Sequence, residues 1–144
     1  MEMINDPECQ VLGALLLDQS CIFQVQEVLS ADDFKYAKHQ AIYNAIIKLG
    51  DECDIFTCWA EIENEGVPIT YLSDMTDCCP TTKNVLAYAH VVLESGRQRK
   101  LMLLSQMIIE SQQSKEKSEV ILDRVGEALS SIGTNGIGNT QTTL

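Results

Sequence analysis

The sequence predicts an all-α protein: a small multi-helix globular body followed by a protruding antiparallel helical hairpin. Three observations carry this. No stretch alternates apolar and polar residues as a half-buried strand does. Cap residues and glycine stops recur between short apolar-periodic segments. Between Pro80 and Gln113 there is no further proline and a single glycine, Gly96, so one unusually long helix is expected there. From Thr82 to Ser111 it would be roughly 45 Å long at 1.5 Å per residue, against about 30–35 Å for a body built from the residues before it. The helix outgrows that body and carries a second structure.

Asp6-Pro7-Glu8 opens the first helix with a cap, a proline at the first helical position and an acid in the first turn. Val11 to Leu17 is apolar on most faces, which makes this helix central. Gly13 costs helix stability, so its presence points to the close approach of another helix. Asp18 and Ser20 end this element and begin a short amphipathic one through Ile22, Phe23, Val25, Val28 and Leu29. Ser30-Ala31-Asp32-Asp33 reads as a capping-box variant ahead of Phe34. His39 to Leu49 carries a stripe of Ile42, Ala45, Ile46 and Leu49, stopped by Gly50. After the polar connection Asp51 to Ile55, Thr57 is read as the cap of a helix through Trp59, Ala60 and Ile62, closed by Glu65-Gly66. Val67-Pro68-Ile69 is extended, and Thr70 to Asp77 makes one or two turns around Tyr71, Leu72 and Met75. Pro80 then breaks the chain and Thr81 or Thr82 caps the long helix. Its first half buries Val85, Ala89, Val92 and Leu93 against the body.

The second half of the long helix is apolar nearly all round: Leu101, Met102, Leu103, Leu104, Met107, Ile108 and Ile109. Such a helix must be covered on more than one side. After the polar break Gln112 to Lys115, a second helix to Ile132 presents Val120, Ile121, Leu122, Val125, Ala128 and Leu129 as one broad face. Glu119, Asp123, Arg124, Glu127 and Ser130 lie opposite. Folded back as a hairpin, it covers one side. The other side is left either to the globular body or to a second chain, and the exposed-patch argument favours the second chain. Leu101, Leu104, Ile108, Ile109, Val125 and Leu129 are the residues expected to carry self-association. The expected domains are a body over residues 1–95, a hairpin over 96–132, and a flexible linker or tail over 133–144, which is rich in Gly, Asn, Thr and Gln.

The net charge of −11 is lopsided. Residues 1–79 hold fifteen acids and three bases, while residues 80–144 hold six acids and seven bases. An acidic body is a poor surface for phosphate backbones, so no strong direct nucleic-acid binding is expected; it suits solubility or a basic protein partner. No apolar run reaches the roughly 20 residues of a membrane span. The N-terminus has no basic region of a secretory signal, so the default compartment is the cytoplasm. In that context the six cysteines are expected to be reduced. They form no CxxC pair, and His39 and His90 are the chain's two histidines, so the paired spacing of a zinc site is absent. Cys9, Cys21 and Cys58 read as small core residues.

Catalytic signals are lacking. There is no P-loop pattern, and Gly133, Gly136 and Gly138 have neither a preceding strand nor a following helix. The acid clusters Asp32-Asp33, Asp51-Glu52-Asp54 and Glu61-Glu63-Glu65 read as caps and solvated surface, and Arg97, Arg99 and Lys100 as a solvated helix surface. No catalytic residue, cofactor or metal ligand is assigned.

Together the motifs resemble the N-terminal domain of bacterial and phage replicative DNA helicases of the DnaB type. The residues that carry the resemblance are VLGALLLD (Val11 to Asp18), LSADDF (Leu29 to Phe34), HQAIYNAIIKL (His39 to Leu49), Tyr71-Leu72 and PTTKNVLAYAHVV (Pro80 to Val92). It spans roughly residues 6–132, and its specificity lies in the motifs occurring together. One departure is Asp54-Ile55-Phe56-Thr57, where the family often has a proline-led segment; another is the acid-rich, cysteine-rich body. The resemblance implies a helical body plus a hairpin that pairs between subunits, forming a dimer or, in the parent, a collar on a hexameric ring. It implies docking of primase and, in places, of the helicase loader. It places the ATPase motor beyond a linker that begins near Gly133, so the chain itself is expected not to be an enzyme. Three rival readings accompany it: a free-standing phage or plasmid protein that regulates or loads a host helicase, the helicase-binding domain of a primase, and a zinc- or thiol-dependent regulator.

Overall fold

Local capping chemistry fixes several of the helix boundaries in the computed structural model, which describes residues 3–133. Among the described residues there are seven α-helices and no strand: α1 (Pro7–Leu17), α2 (Ile22–Val28), α3 (Ala37–Leu49), α4 (Ile55–Glu61), α5 (Ile69–Asp77), α6 (Val85–Gln113) and α7 (Ser118–Ile132). The expected linker over 134–144 lies outside the described residues. The internal contacts of the chain divide it into two units, Met1–Glu94 and Ser95–Leu144. Among the described residues no helix is long and apolar enough to cross a membrane.

In the first unit, the Asp6 carboxylate accepts from the Glu8 N–H at 2.9 Å and Pro7 stands at the first helical position. Asp18 accepts from the Ser20 N–H at 3.0 Å, turning the chain through a 3₁₀ turn at Gln19–Cys21 into α2. The Asp33 carboxylate accepts from the Ser30 N–H at 2.9 Å, but this box closes a single 3₁₀ turn and not a longer helix. Gly50 ends α3 at φ 57°.

Two boundaries differ from expectation. Thr57 is not the cap of α4: Asp54 is, and Thr57 sits three residues inside as its reciprocal partner. The Thr57 N–H donates to Asp54 Oδ1 and the Asp54 N–H to Thr57 Oγ1, both at 2.8 Å. An aspartate outcompetes a threonine for the cap, and the threonine serves as the returning acceptor. The long helix begins at Val85, because residues 81–84 form a turn in which Thr81 Oγ1 accepts from the Lys83 N–H at 3.1 Å.

The core is centred on α1, of which Val11, Leu12, Ala14, Leu15 and Leu16 are all buried. Phe34, Ile42, Ile46, Leu72 and Met75 surround it, and Val85, Ala89, Val92 and Leu93 close it from the start of α6. Gly13 explains itself: a Cβ there would sit 2.5 Å from the Met75 carbonyl oxygen. The backbones of α1 and α5 therefore approach more closely than any side chain allows. Cys9, Cys21 and Cys58 are buried free thiols, as are Cys53 and Cys79.

Candidate association surface

The second unit is a helical hairpin whose turn is a complete Schellman motif. The Glu116 N–H bonds to the Ser111 carbonyl at 3.2 Å and the Lys115 N–H to the Gln112 carbonyl at 3.1 Å. Lys115 sits between them at φ 60°, a conformation usually given to glycine. Sequence reading sees only a polar break here, because a lysine gives no sign of a left-handed residue.

Arg124 of α7 reaches back across this turn. Its Nη1 donates to Ser111 Oγ at 2.9 Å and its Nη2 to Glu116 Oε1 at 2.8 Å, and Nη1 also lies 3.8 Å from Met107 Sδ. Hydrogen bonds from Arg124, then Ser111, hold the Glu116 carboxyl below its ordinary range. A residue in the first half of α7 thus touches residues late in α6, which makes the pair antiparallel. The expectation that Arg124 lies on the outer face is corrected: it lies at the seam, since its long stem and planar fork span the helix end.

Leu104 and Ile121 are buried in this seam, and Ile108, Val125, Ala128 and Ile132 are half-buried. With residues at 100° intervals, Arg124 and Met107 fall on one side of the seam. On the opposite side, Leu101, Met102 and Ile109 of α6 stand beside Leu122, Gly126 and Leu129 of α7. Ile109 is 57 %, Leu122 67 % and Leu129 50 % exposed. Between residues 98 and 112 of α6 and residues 120 and 130 of α7 the charged residues are Arg99, Lys100, Glu110, Asp123, Arg124 and Glu127. Every one of them projects away from that apolar side. Over these residues the hairpin therefore has one charged side and one uncharged side, on which Gln98, Ser105 and Gln112 stand among the apolar residues, and Glu119 at the start of α7 borders the uncharged side beside Gly126.

Of the six residues expected to carry self-association, Leu101, Ile109 and Leu129 lie exposed on this apolar side, with Ile108 and Val125 at its inner edge. Leu104, at 8 % exposure, is packed inside the hairpin and is not available to a second chain. Leu122, Met102 and Gly126, outside the expected set, lie exposed on the same side. The broad α7 stripe read from the sequence splits: Ile121 faces inward, Leu122 and Leu129 face one side, and Val120 faces the other.

A second arrangement lies within the first unit. Glu8, buried on α1, accepts from the Lys35 N–H at 2.7 Å through Oε2, and its Oε1 lies 2.7 Å from His39 Nδ1. His39 Nε2 lies 2.7 Å from the Tyr71 hydroxyl and 3.8 Å from Cys9 Sγ. Cysteine, histidine and carboxylate in this order superficially suggest a nucleophile with its base. The chemistry argues otherwise: Cys9 is 2 % exposed, and burial, then the charge of Asp6, pushes its thiol up to about 12. A thiol that keeps its proton is not a nucleophile. The group is a buried polar clamp joining α1, α3 and α5, open on one side to a cavity of about 350 Å³ lined by Met3, Tyr36 and Lys38 among others. Sequence reading places Glu8 only in a first helical turn and His39 only in a helix; nothing local shows that they meet. Among the described residues no group of three or more His, Cys, Asp or Glu side chains is arranged to hold a metal ion.

A family model described as the DnaB-like helicase N terminal domain matches residues 2–94, which ends at the division between the two units. The chain is 34 % identical over 131 residues to the replicative DNA helicase DnaC of Bacillus subtilis (strain 168), covering 85 % of this chain and 28 % of that protein. It is 32 % identical over 127 residues to the replicative DNA helicase DnaB of Geobacillus stearothermophilus, covering 82 % and 28 % respectively. The chain thus spans little more than a quarter of the length of these relatives. Among solved structures it resembles the crystal structure of the N-terminal domain of DnaB helicase from Mycobacterium tuberculosis. The TM-score is 0.78 at 27 % identity, covering 88 % of this chain and 95 % of that one.

Proposed function

The chain belongs to the DnaB-like helicase N-terminal domain family, and on that premise we propose that it holds helicase subunits together and docks replication partners. The matched region is the non-catalytic N-terminal domain of replicative helicases. In this reading the body over residues 1–95 and the hairpin over 96–132 divide the work, and the hairpin carries self-association. The partners are other copies of the chain, primase, and the helicase loader, in the cytoplasm of a bacterium or of a phage-infected cell.

One observation carries the self-association: the middle of the hairpin presents a two-helix side with exposed Leu101, Met102, Ile109, Leu122 and Leu129 and no charge, bordered at its turn end by Glu119. Two copies can meet through this side about a two-fold axis, each residue seeing its equivalent or a neighbour. Gly126 and Ser105 let the helices approach. Five half-exposed side chains per copy, Leu101, Met102, Ile109, Leu122 and Leu129, each have roughly 1 kcal/mol of burial left to gain. Over both copies that is about 10 kcal/mol, the same size as the roughly 4–15 kcal/mol cost of association. Pairing of the isolated chain is therefore weak, and a ring that already holds the subunits close strengthens it through effective concentration.

Docking is tested by titrating the 144-residue chain into its cognate primase by calorimetry. Saturable binding supports the docking reading; absence of heat at any attainable concentration, with both proteins folded, contradicts it.

A further inference from the structure

On the first unit, α4 shows solvent a pair of aromatic side chains that the core does not use. Cys58 and Ile62 turn inward and are buried, whereas Phe56 is 71 % and Trp59 37 % exposed. The two are three residues apart, on neighbouring positions of one helix face, with exposed Ala60 beside them. The reciprocal Asp54–Thr57 cap holds the first turn, so the aromatics stand on a fixed element. Acids lie at both ends: Asp51, Glu52 and Asp54 before the aromatic pair, Glu61, Glu63 and Glu65 after it, with no base in residues 51–65. Glu61 is engaged by Lys48 at 3.0 Å; Asp51, Glu52, Glu63 and Glu65 are exposed.

We infer that this strip is a docking site for a basic segment of another protein, carrying lysine or arginine on either side of an apolar anchor. Exposed Phe and Trp supply the large contact area and the ring faces that attract cations. The acids at both ends complement a basic segment, speed its encounter and favour the register that centres its apolar anchor on the aromatic pair. The same charge repels a phosphate backbone, and a second copy of this chain would bring its own acidic strip against this one. The strip lies wholly within the first unit.

Trp59 is the chain's single tryptophan, so its emission reports on this strip alone. The probe is a short synthetic helix of leucine and lysine with one apolar and one basic face, titrated into the full chain. The expected result is a saturable shift of Trp59 emission to shorter wavelength. Phe56→Ser, which circular dichroism should show folded, is expected to weaken the affinity about tenfold, the loss of a hot-spot contact. Neutralising Glu52, Glu63 and Glu65 to Gln is expected to weaken it and flatten its salt dependence. Unmoved emission would overturn the proposal. So would equal binding by Phe56→Ser, or by a composition-matched peptide with its two faces scrambled. A shift produced by single-stranded DNA instead of the peptide would also overturn it.

Discussion

Arg124 Nη1 donates to Ser111 Oγ at 2.9 Å, across the turn from one helix of the hairpin to the other. The same guanidinium holds Glu116 at 2.8 Å, so one side chain ties α6, the turn and α7. The Glu116 carboxyl is held below its ordinary value of 4.5 by Arg124 and Ser111. A depressed folded-state pKa contributes stability that is present above the unfolded value and is lost as pH falls through the folded one. The hairpin is therefore expected to loosen progressively below about pH 4.5. Hydrogen exchange of the α7 amides should accelerate there in the wild type. Arg124→Ala should show the faster exchange already at neutral pH and a weaker acid dependence.

Lys115 adopts φ 60° at the position where helices usually place glycine. Lys115→Gly removes the clash of its Cβ with the backbone, and this outweighs the entropy glycine loses. The variant is expected to be more stable by about 0.5–1 kcal/mol, read as a rise in the denaturant midpoint with unchanged slope.

Gly13→Ala places a methyl group 2.5 Å from the Met75 carbonyl oxygen. The obstacle is backbone and cannot rotate away, so α1 and α5 must separate. A loss of about 2–3 kcal/mol is expected, measured by chemical denaturation, although alanine is the better helix former.

The Glu8–His39–Tyr71 clamp makes a graded prediction. Glu8→Ala strands the His39 ring and the Lys35 N–H in the interior and is expected to cost about 2–4 kcal/mol. Tyr71→Phe removes one hydroxyl from His39 and is expected to cost about 1 kcal/mol. Equal losses in the two variants would show that Glu8 does not organise the clamp.

These residues also mark what the sequence makes legible. Asp6-Pro7, Gly13 and Gly50 announce their roles because each role is local or rests on a missing Cβ. The positions of Val85, Ala89, Val92 and Leu93 follow from helical period alone. Arg124 does not announce itself: a charged residue beside Asp123 reads as solvated surface until the turn brings Glu116 and Ser111 beneath it. Lys115 in a left-handed conformation, and Glu8 meeting His39 from thirty-one positions away, depend on tertiary structure that no pattern of neighbours encodes. The uncharged side of the hairpin, proposed above for self-association, lies between these cases. Its residues stood out as surplus hydrophobicity, but the burial of Leu104 and the exposure of Leu122 were decided by how the two helices rotate against each other.

Self-association through the hairpin is tested by sedimentation equilibrium of the wild-type chain beside Ile109→Asp and Leu103→Asp, at concentrations up to ~100 µM, where a weak dimer is populated. Ile109 lies on the uncharged side of the hairpin and Leu103 on its charged side, and both are exposed, so neither aspartate disturbs the core. The wild type is expected to pass from 16.0 kDa toward twice that mass, Leu103→Asp to do the same, and Ile109→Asp to stay monomeric. A wild type that remains monomeric throughout, or an Ile109→Asp that associates as the wild type does, would contradict pairing through the uncharged side.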